Sequence, residues 1–173
     1  MANLATFSPN QVAVIISQDS TGITHRCSGY SEDSIISIDR NQETFMLYTG
    51  ADDSNTRIAN VNTAATMTVS LQQTSATNDV FSALYDNDRN TLDSSGLFAI
   101  TVKDLSGRSY YFSNQAYLAS PPSSGFANSM QTREWVIHMP NSQIYIGGNA
   151  KLSAEEVATL EALGAVIDPR WVA

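Results

Sequence analysis

The residues that could carry chemistry are few, and each lacks the neighbours that its chemistry needs. His25 and Cys27 stand two apart in a run with strand character, Ile23 to Tyr30, so their side chains share a face. A Cys–His nucleophile pair or half of a zinc site uses such spacing. Zinc would need two further ligands, and the one other histidine, His138, has no ligand pattern near it. An ordinary strand pair is the better reading. Asp86, Asp88 and Asn90 imitate the start of a calcium loop, but the pattern fails at Thr91, where glycine makes the sharp turn. It fails again at Leu97, where a closing glutamate should stand. The stretch Asp86 to Ser95 therefore reads as a solvated polar loop. Asp52 and Asp53 form an equally isolated acidic pair.

No nucleophile elbow, phosphate-binding loop or dinucleotide fingerprint is present. Nothing marks a pair of carboxylates for glycoside hydrolysis. The sequence is thus read as non-enzymatic, with no catalytic residue, no cofactor and no metal site.

Composition narrows the class further. A chain of 173 residues with 42% hydrophobic residues suits one domain with its own core. No apolar run reaches the length of a membrane span, and the first eleven residues have neither a basic start nor an apolar core, so neither an anchor nor a signal peptide is expected. One cysteine leaves no internal disulfide and fits synthesis in a reducing cytoplasm. The net charge is −8, and the nine Lys and Arg are scattered singly. Tight nucleic-acid binding needs clustered basic groups and is not expected. Passage of DNA along an acidic surface is compatible with this balance.

The elements that must position these residues are mostly strands. Ala65 to Leu84 organises the chain: Met67, Val69 and Leu71 alternate with Thr66, Thr68, Ser70 and Gln72, the period of a half-buried strand. A helix follows over Ala76 to Tyr85, started by Ser75 or Thr77 with Asp79 in its first turn, and carrying Ala76, Val80, Phe81, Leu84 and Tyr85 on one face. Further strands are expected at Gln11 to Ser17 (buried on both faces), Ile23 to Tyr30, Ile35 to Arg40, Thr44 to Tyr48, Gly96 to Asp104, Ser109 to Gln115, Arg133 to Met139 and Gln143 to Ile146. Thr49 to Thr63 reads as a long loop or distorted hairpin. Ala119 to Ser129 contains two prolines and cannot be a strand interior. Ser153 to Glu156 is a capping box that opens a last helix ending near Leu163, with Gly164 as its stop. The class is mainly β: an antiparallel sandwich or small barrel with one flanking helix and a C-terminal helix.

Many outward strand positions carry Thr, Ser, Asn or Gln, and charged residues are only 15%, against roughly 25% in typical soluble domains. Such a surface suits burial against other copies of the chain. The plainer account is a protein that is simply rich in small polar residues.

The run TVSLQQTSATNDVFSAL (Thr68 to Leu84) resembles the strand-plus-helix segment of tail tube proteins of contractile-tailed bacteriophages. Two later segments agree with it: PP…SGF…REWVIH (Pro121 to His138) and YIGGN (Tyr145 to Asn149). The resemblance covers Phe7 to Asn149 in order and spacing, and implies a structural virion protein, made in the host cytoplasm. In that family six subunits form a ring whose strands join into one inner barrel. Rings stack through long loops into a tube for DNA, which passes without specific binding, and sheath, baseplate or terminator proteins are the expected partners.

On this analogy the organising helix lies outside the barrel. The Thr49 to Thr63 loop reaches the next ring or a neighbouring subunit, with Asp52, Asp53, Asn55 and Arg57 as its interface residues. Residues 1–149 form the tube-like domain. The segment 150–173 has no counterpart in the resemblance and is expected to be an appended outer element, docking on the tube wall or a neighbouring subunit through Val157, Leu160, Leu163 and Trp171, or else to cover the subunit's own core. Two other readings stay open. One is a tube of a bacterial contractile secretion system. The other is a β-sandwich module binding carbohydrate or protein, which needs exposed aromatics; Tyr110, Tyr111 and Phe112 are the nearest candidates, but their alternation buries at least one.

Overall fold

The computed structural model describes residue 6, residues 8–33 and residues 35–173. The first five residues, Phe7 and Ser34 of the polar link after Tyr30 lie outside the described residues. Ten strands run in the order β1 (Val12–Gln18), β2 (Ile23–Arg26), β3 (Ile36–Arg40), β4 (Phe45–Thr49), β5 (Asn55–Ala59), β6 (Ala65–Gln72), β7 (Phe98–Asp104), β8 (Tyr110–Leu118), β9 (Thr132–Met139) and β10 (Gln143–Tyr145). Two helices, α1 (Thr77–Thr91) and α2 (Ala154–Ala162), complete the fold. The mainly β, antiparallel class expected from the alternating patterns is what forms.

Eight strands make one antiparallel sheet in the order β2-β1-β7-β8-β9-β6-β3, with β10 also paired to β8. It is not a closed barrel, yet its edges share one stretch of chain. β2 pairs with β1, the backbone of Gly29 and Ser31 then bonds to Gln72 and Ser70, and β3 continues along β6. The sheet therefore curls until residues 27–31 bridge its two edges. Inward side chains from both halves meet in one cluster: Val14 and Ile16, Met67, Val69 and Leu71, Ile100 and Val102, Trp135 and Ile137. Alternation on β6, β7 and β9 predicts the members that those three strands supply. β1 departs from expectation, because Ile15 faces outward and is 37% exposed. Ala13, two residues earlier on the same side, is nonetheless buried.

Gly29 is the joint of this closure. Its φ is +73°, in the left-handed region that favours glycine, and a Cβ there would sit 2.7 Å from Cβ of Ser75. The close approach serves the helix start. Ser75 Oγ donates to Ser28 O (2.6 Å) and accepts from Thr77 N, while buried Thr77 Oγ1 donates to Ser28 O and accepts from Ser28 N. The N-cap position itself is Ala76, without a side-chain cap bond, so neither Ser75 nor Thr77 caps α1 as expected; their hydroxyls instead tie the helix start to the bridge.

From there α1 buries Phe81 and Leu84 in the same cluster, so it lies on the core-bearing face of the sheet. Phe81 meets Trp135 edge-on at 5.3 Å, and Trp135 Nε1 donates to Asn78 Oδ1 (2.9 Å). The helix does not stop at Tyr85. It runs to Thr91 and ends where Leu92 adopts a left-handed conformation, its N–H bonded to Asp88 O. The expected polar loop over Asp86 to Ser95 is accordingly wrong for its first half.

Candidate functional site

None of the sequence's chemical candidates comes together as a reactive centre. His25 is half-buried on β2, with Nε2 3.1 Å from Thr77 Oγ1, and its contact is structural. Cys27 lies just past β2, fully inside, and burial pushes its thiol up to about 12. A thiol held protonated in this way is a poor nucleophile. Asp86, Asp88 and Asn90 sit on successive sides of α1 rather than in a chelating loop, and Asp88 lies against Gly96. No cluster of three metal-ligating side chains exists among the described residues. Tyr110 and Phe112 stack at 6.4 Å on one face of β8, while Tyr111 points to the core cluster; all three are half-buried.

The feature that stands out is an arm. β4 and β5 pair only with each other, in register from Phe45 opposite Ala59 to Thr49 opposite Asn55. They form a two-stranded hairpin inserted between β3 and β6, with every residue of both strands exposed. Such a ribbon normally hides one face. Here Phe45, Met46, Leu47, Tyr48 and Ile58 are all in water, Leu47 to 73% and Tyr48 to 61%. An isolated hairpin is marginally stable. Local bonds compensate: Arg57 lies 3.7 Å over the Phe45 ring, and Thr49 Oγ1 donates to Asn55 Oδ1. At the base, Asn60 Nδ2 and Asn62 Nδ2 both donate to Gln42 Oε1.

The four residues expected at an interface all lie on this arm. Asp52 and Asp53 form its tip, where Asp53 has φ +62° and Asp52 Oδ1 accepts from the backbone and hydroxyl of Ser54. Those two bonds hold the exposed Asp52 carboxyl below its ordinary range. The stretch 49–63 is therefore the outer half of a hairpin, one of the two forms its composition allows. Its apolar side chains outweigh its charges, and the expectation fixed on the charges. The missed signal was Phe45 to Tyr48, a run whose apolarity looks like core.

The segment 150–173 folds back on its own subunit. Ser153 and Glu156 form the full capping box of α2, but no residue of that helix is buried. Leu152 N bonds Trp171 O, and Ala173 N bonds Leu152 O, so the segment closes on itself. Arg108, in the β7–β8 turn, anchors it: Nη1 donates to Ala150 O and the guanidinium lies 5.3 Å over the Trp171 ring. A groove of about 530 Å³ remains between segment and sheet, lined by Leu105, Tyr110, Tyr145, Leu160, Ile167 and Trp171 among others. Val157 and Leu160 are half-buried, whereas Leu163 is 79% exposed.

A curled antiparallel sheet, one helix on its core face and a protruding apolar hairpin make up the fold. Comparison with known proteins assigns it to a structural family. A family model described as Bacteriophage PhiTE tail tube protein matches residues 4–147. Structural protein ORF10 of Pseudomonas phage KPP10 is 48% identical over 168 residues, covering 97% of each chain. This chain belongs to the PhiTE-type phage tail tube family, whose members are structural proteins of the tail. Among solved structures, the anti-feeding prophage tube-terminating cap is similar with TM-score 0.53 and 13% identity, over 84% of this chain and 94% of that one. The sheath/tube terminator of an extracellular contractile injection system gives TM-score 0.53 and 12% identity, over 84% and 100%. Its sheath–tube complex gives TM-score 0.50 and 12%, over 81% and 93%. These last three establish a shared fold.

Proposed function

We propose that this chain is the repeating subunit of a phage tail tube, six copies to a ring and rings stacked into the conduit for DNA ejection. The observation that carries this reading is the arm: five large apolar side chains on a hairpin whose strands pair only with each other among the described residues. Exposed patches of that kind mark surfaces that other proteins cover. The open sheet edges at β2 and β3 support the ring, since pairing edges between copies removes the hazard of unpaired strands. The charge of −8 without a basic cluster supports a lumen that DNA traverses without sticking.

Interface duty falls to Asp52 and Asp53 at the arm tip and to Asn55 and Arg57 on its returning strand, which set register more than affinity. The 150–173 segment serves as an appended outer element through Val157, Leu160, Leu163 and Trp171. A sheath and terminator are the proposed partners, because the fold recurs in proteins named from sheath–tube and terminator assemblies. The location is the virion tail, after synthesis in the host cytoplasm. Negative-stain images of the purified protein at high concentration test this. Hollow tubes are expected. Single or double rings that never lengthen would indicate a terminator ring, and monodisperse small particles would contradict the proposal.

A further inference from the structure

The arm and a second exposed apolar surface lie at opposite ends of the sheet. Register places the arm at the end where Ala65 of β6 faces Met139 of β9. At the other end of the same pair, Gln72 faces Thr132, and the loop 119–131 enters β9 there. The eight residues of β6 separate the two surfaces by seven steps, about 23 Å at about 3.3 Å per residue. The loop carries no charged residue, and its Phe126 and Met130 are 84% and 60% exposed.

One charge underlies it. Arg133 is only 8% exposed, with Nη2 donating to Gly125 O and its guanidinium 5.5 Å from the Phe126 ring. Among the described residues it has no carboxylate in salt-bridge range. The arm is the complement: an apolar body with two carboxylates, Asp52 and Asp53, at its tip. Phe45, Met46, Leu47, Tyr48, Ile58 and Val61 together expose on the order of 600 Å², set against roughly 800 Å² per partner in a standard interface. The arm alone thus supplies most of one side of a stable contact.

We infer that the arm of one copy docks on the 119–131 loop of a second copy, with Phe126 and Met130 as its seat. Donor and acceptor surfaces at opposite ends of one subunit make a heterologous, head-to-tail contact, which propagates along an axis wherever its rotation does not close a ring. This rests on the tube reading and assigns the surface that receives the arm.

Disulfide trapping tests it in the full chain. Cys27 is buried and stays protonated, so it does not compete. Leu47→Cys combined with Phe126→Cys should, on mild oxidation of assembled protein, give a ladder of covalent multimers on non-reducing gels. Each single variant should stay monomeric. Dimers from Leu47→Cys alone would mean that arms pair with arms and would overturn the inference, as would a double variant that forms no ladder although its tubes assemble. If neither wild type nor variants assemble, the tube reading itself fails. As a second measure, Phe126→Ser with Met130→Ser should leave the melting curve of unassembled subunits unchanged and reduce stacked rings at least tenfold. Normal tube length in that variant would also overturn it.

Discussion

Leu47 and Tyr48 should matter to assembly and not to folding. Both lie on β4 and both are mostly in water, so replacing them together by serine removes almost no buried contact in the subunit. Exposed substitutions of this kind change folding stability by about 0.5 kcal/mol or less each. In the tube proposed above the same atoms would be covered. Their present exposure amounts to on the order of 200 Å², worth about 5 kcal/mol per arm at about 25 cal/mol per Å². That figure is an upper bound, because serine keeps part of the contact and ordering the arm costs entropy. Half of it would still weaken each contact by roughly seventyfold, and a ring of several copies would multiply the effect. The assay has two arms: urea unfolding of dilute, unassembled subunits, and sedimentation of concentrated protein. Dilution matters because assembly raises apparent stability by mass action. Unchanged unfolding with abolished sedimentation is expected. A loss of more than about 2 kcal/mol in the subunit would show that the arm belongs to the fold, and normal sedimentation would show that its apolar face is idle.

Inside the subunit the effects should reverse. Phe81→Ala removes the buried ring that α1 sets against Trp135, and should cost about 3–5 kcal/mol in chemical denaturation of the unassembled protein. Gly29→Ala forces a side chain into a left-handed position against Ser75; a loss of about 2 kcal/mol or more is expected by the same measurement, and a neutral result would mean the bridge can shift. The Arg170 side chain and backbone N–H hold the Asp168 carboxyl down to about 2, through bonds of 2.8 and 2.6 Å from Nε and Nη2 and one of 3.0 Å from the backbone. A depressed acid stabilises above its unfolded value near 3.9 and loses that contribution as pH falls toward 2. Ordering of the 168–171 turn should therefore fade between about pH 4 and pH 2, read by Trp171 fluorescence. In Arg170→Met the Asp168 carboxyl should move up toward its ordinary value by NMR without reaching it, because the backbone N–H bond remains.

The strands that build the core were legible because one face is apolar and the other is not. On β6, β7 and β9 the alternating residues are the buried ones. The second half of α1 was not legible. Asp86, Asn87, Asp88 and Asn90 favour caps and turns over helix, and the apolar stripe ends at Tyr85. The helix continues along its own hydrogen-bond ladder, with the Thr91 hydroxyl bonded back to Asn87 O. The arm was hidden for the opposite reason. Phe45 to Tyr48 has the composition of a core strand, and its exposure depends on β5 being its one partner. No local pattern encodes that. The four predicted interface residues fall on one feature because they lie close in sequence; the apolar surface beside them needed the fold.

The most direct test of the account is a structure of the assembled particle at a resolution that separates strands. Stacked rings should appear, with residues 45–59 of each copy buried against other copies and the side chains of Phe45, Leu47 and Tyr48 out of water. A tube in which that hairpin projects freely into solvent or lumen, with rings held by other surfaces, would contradict it.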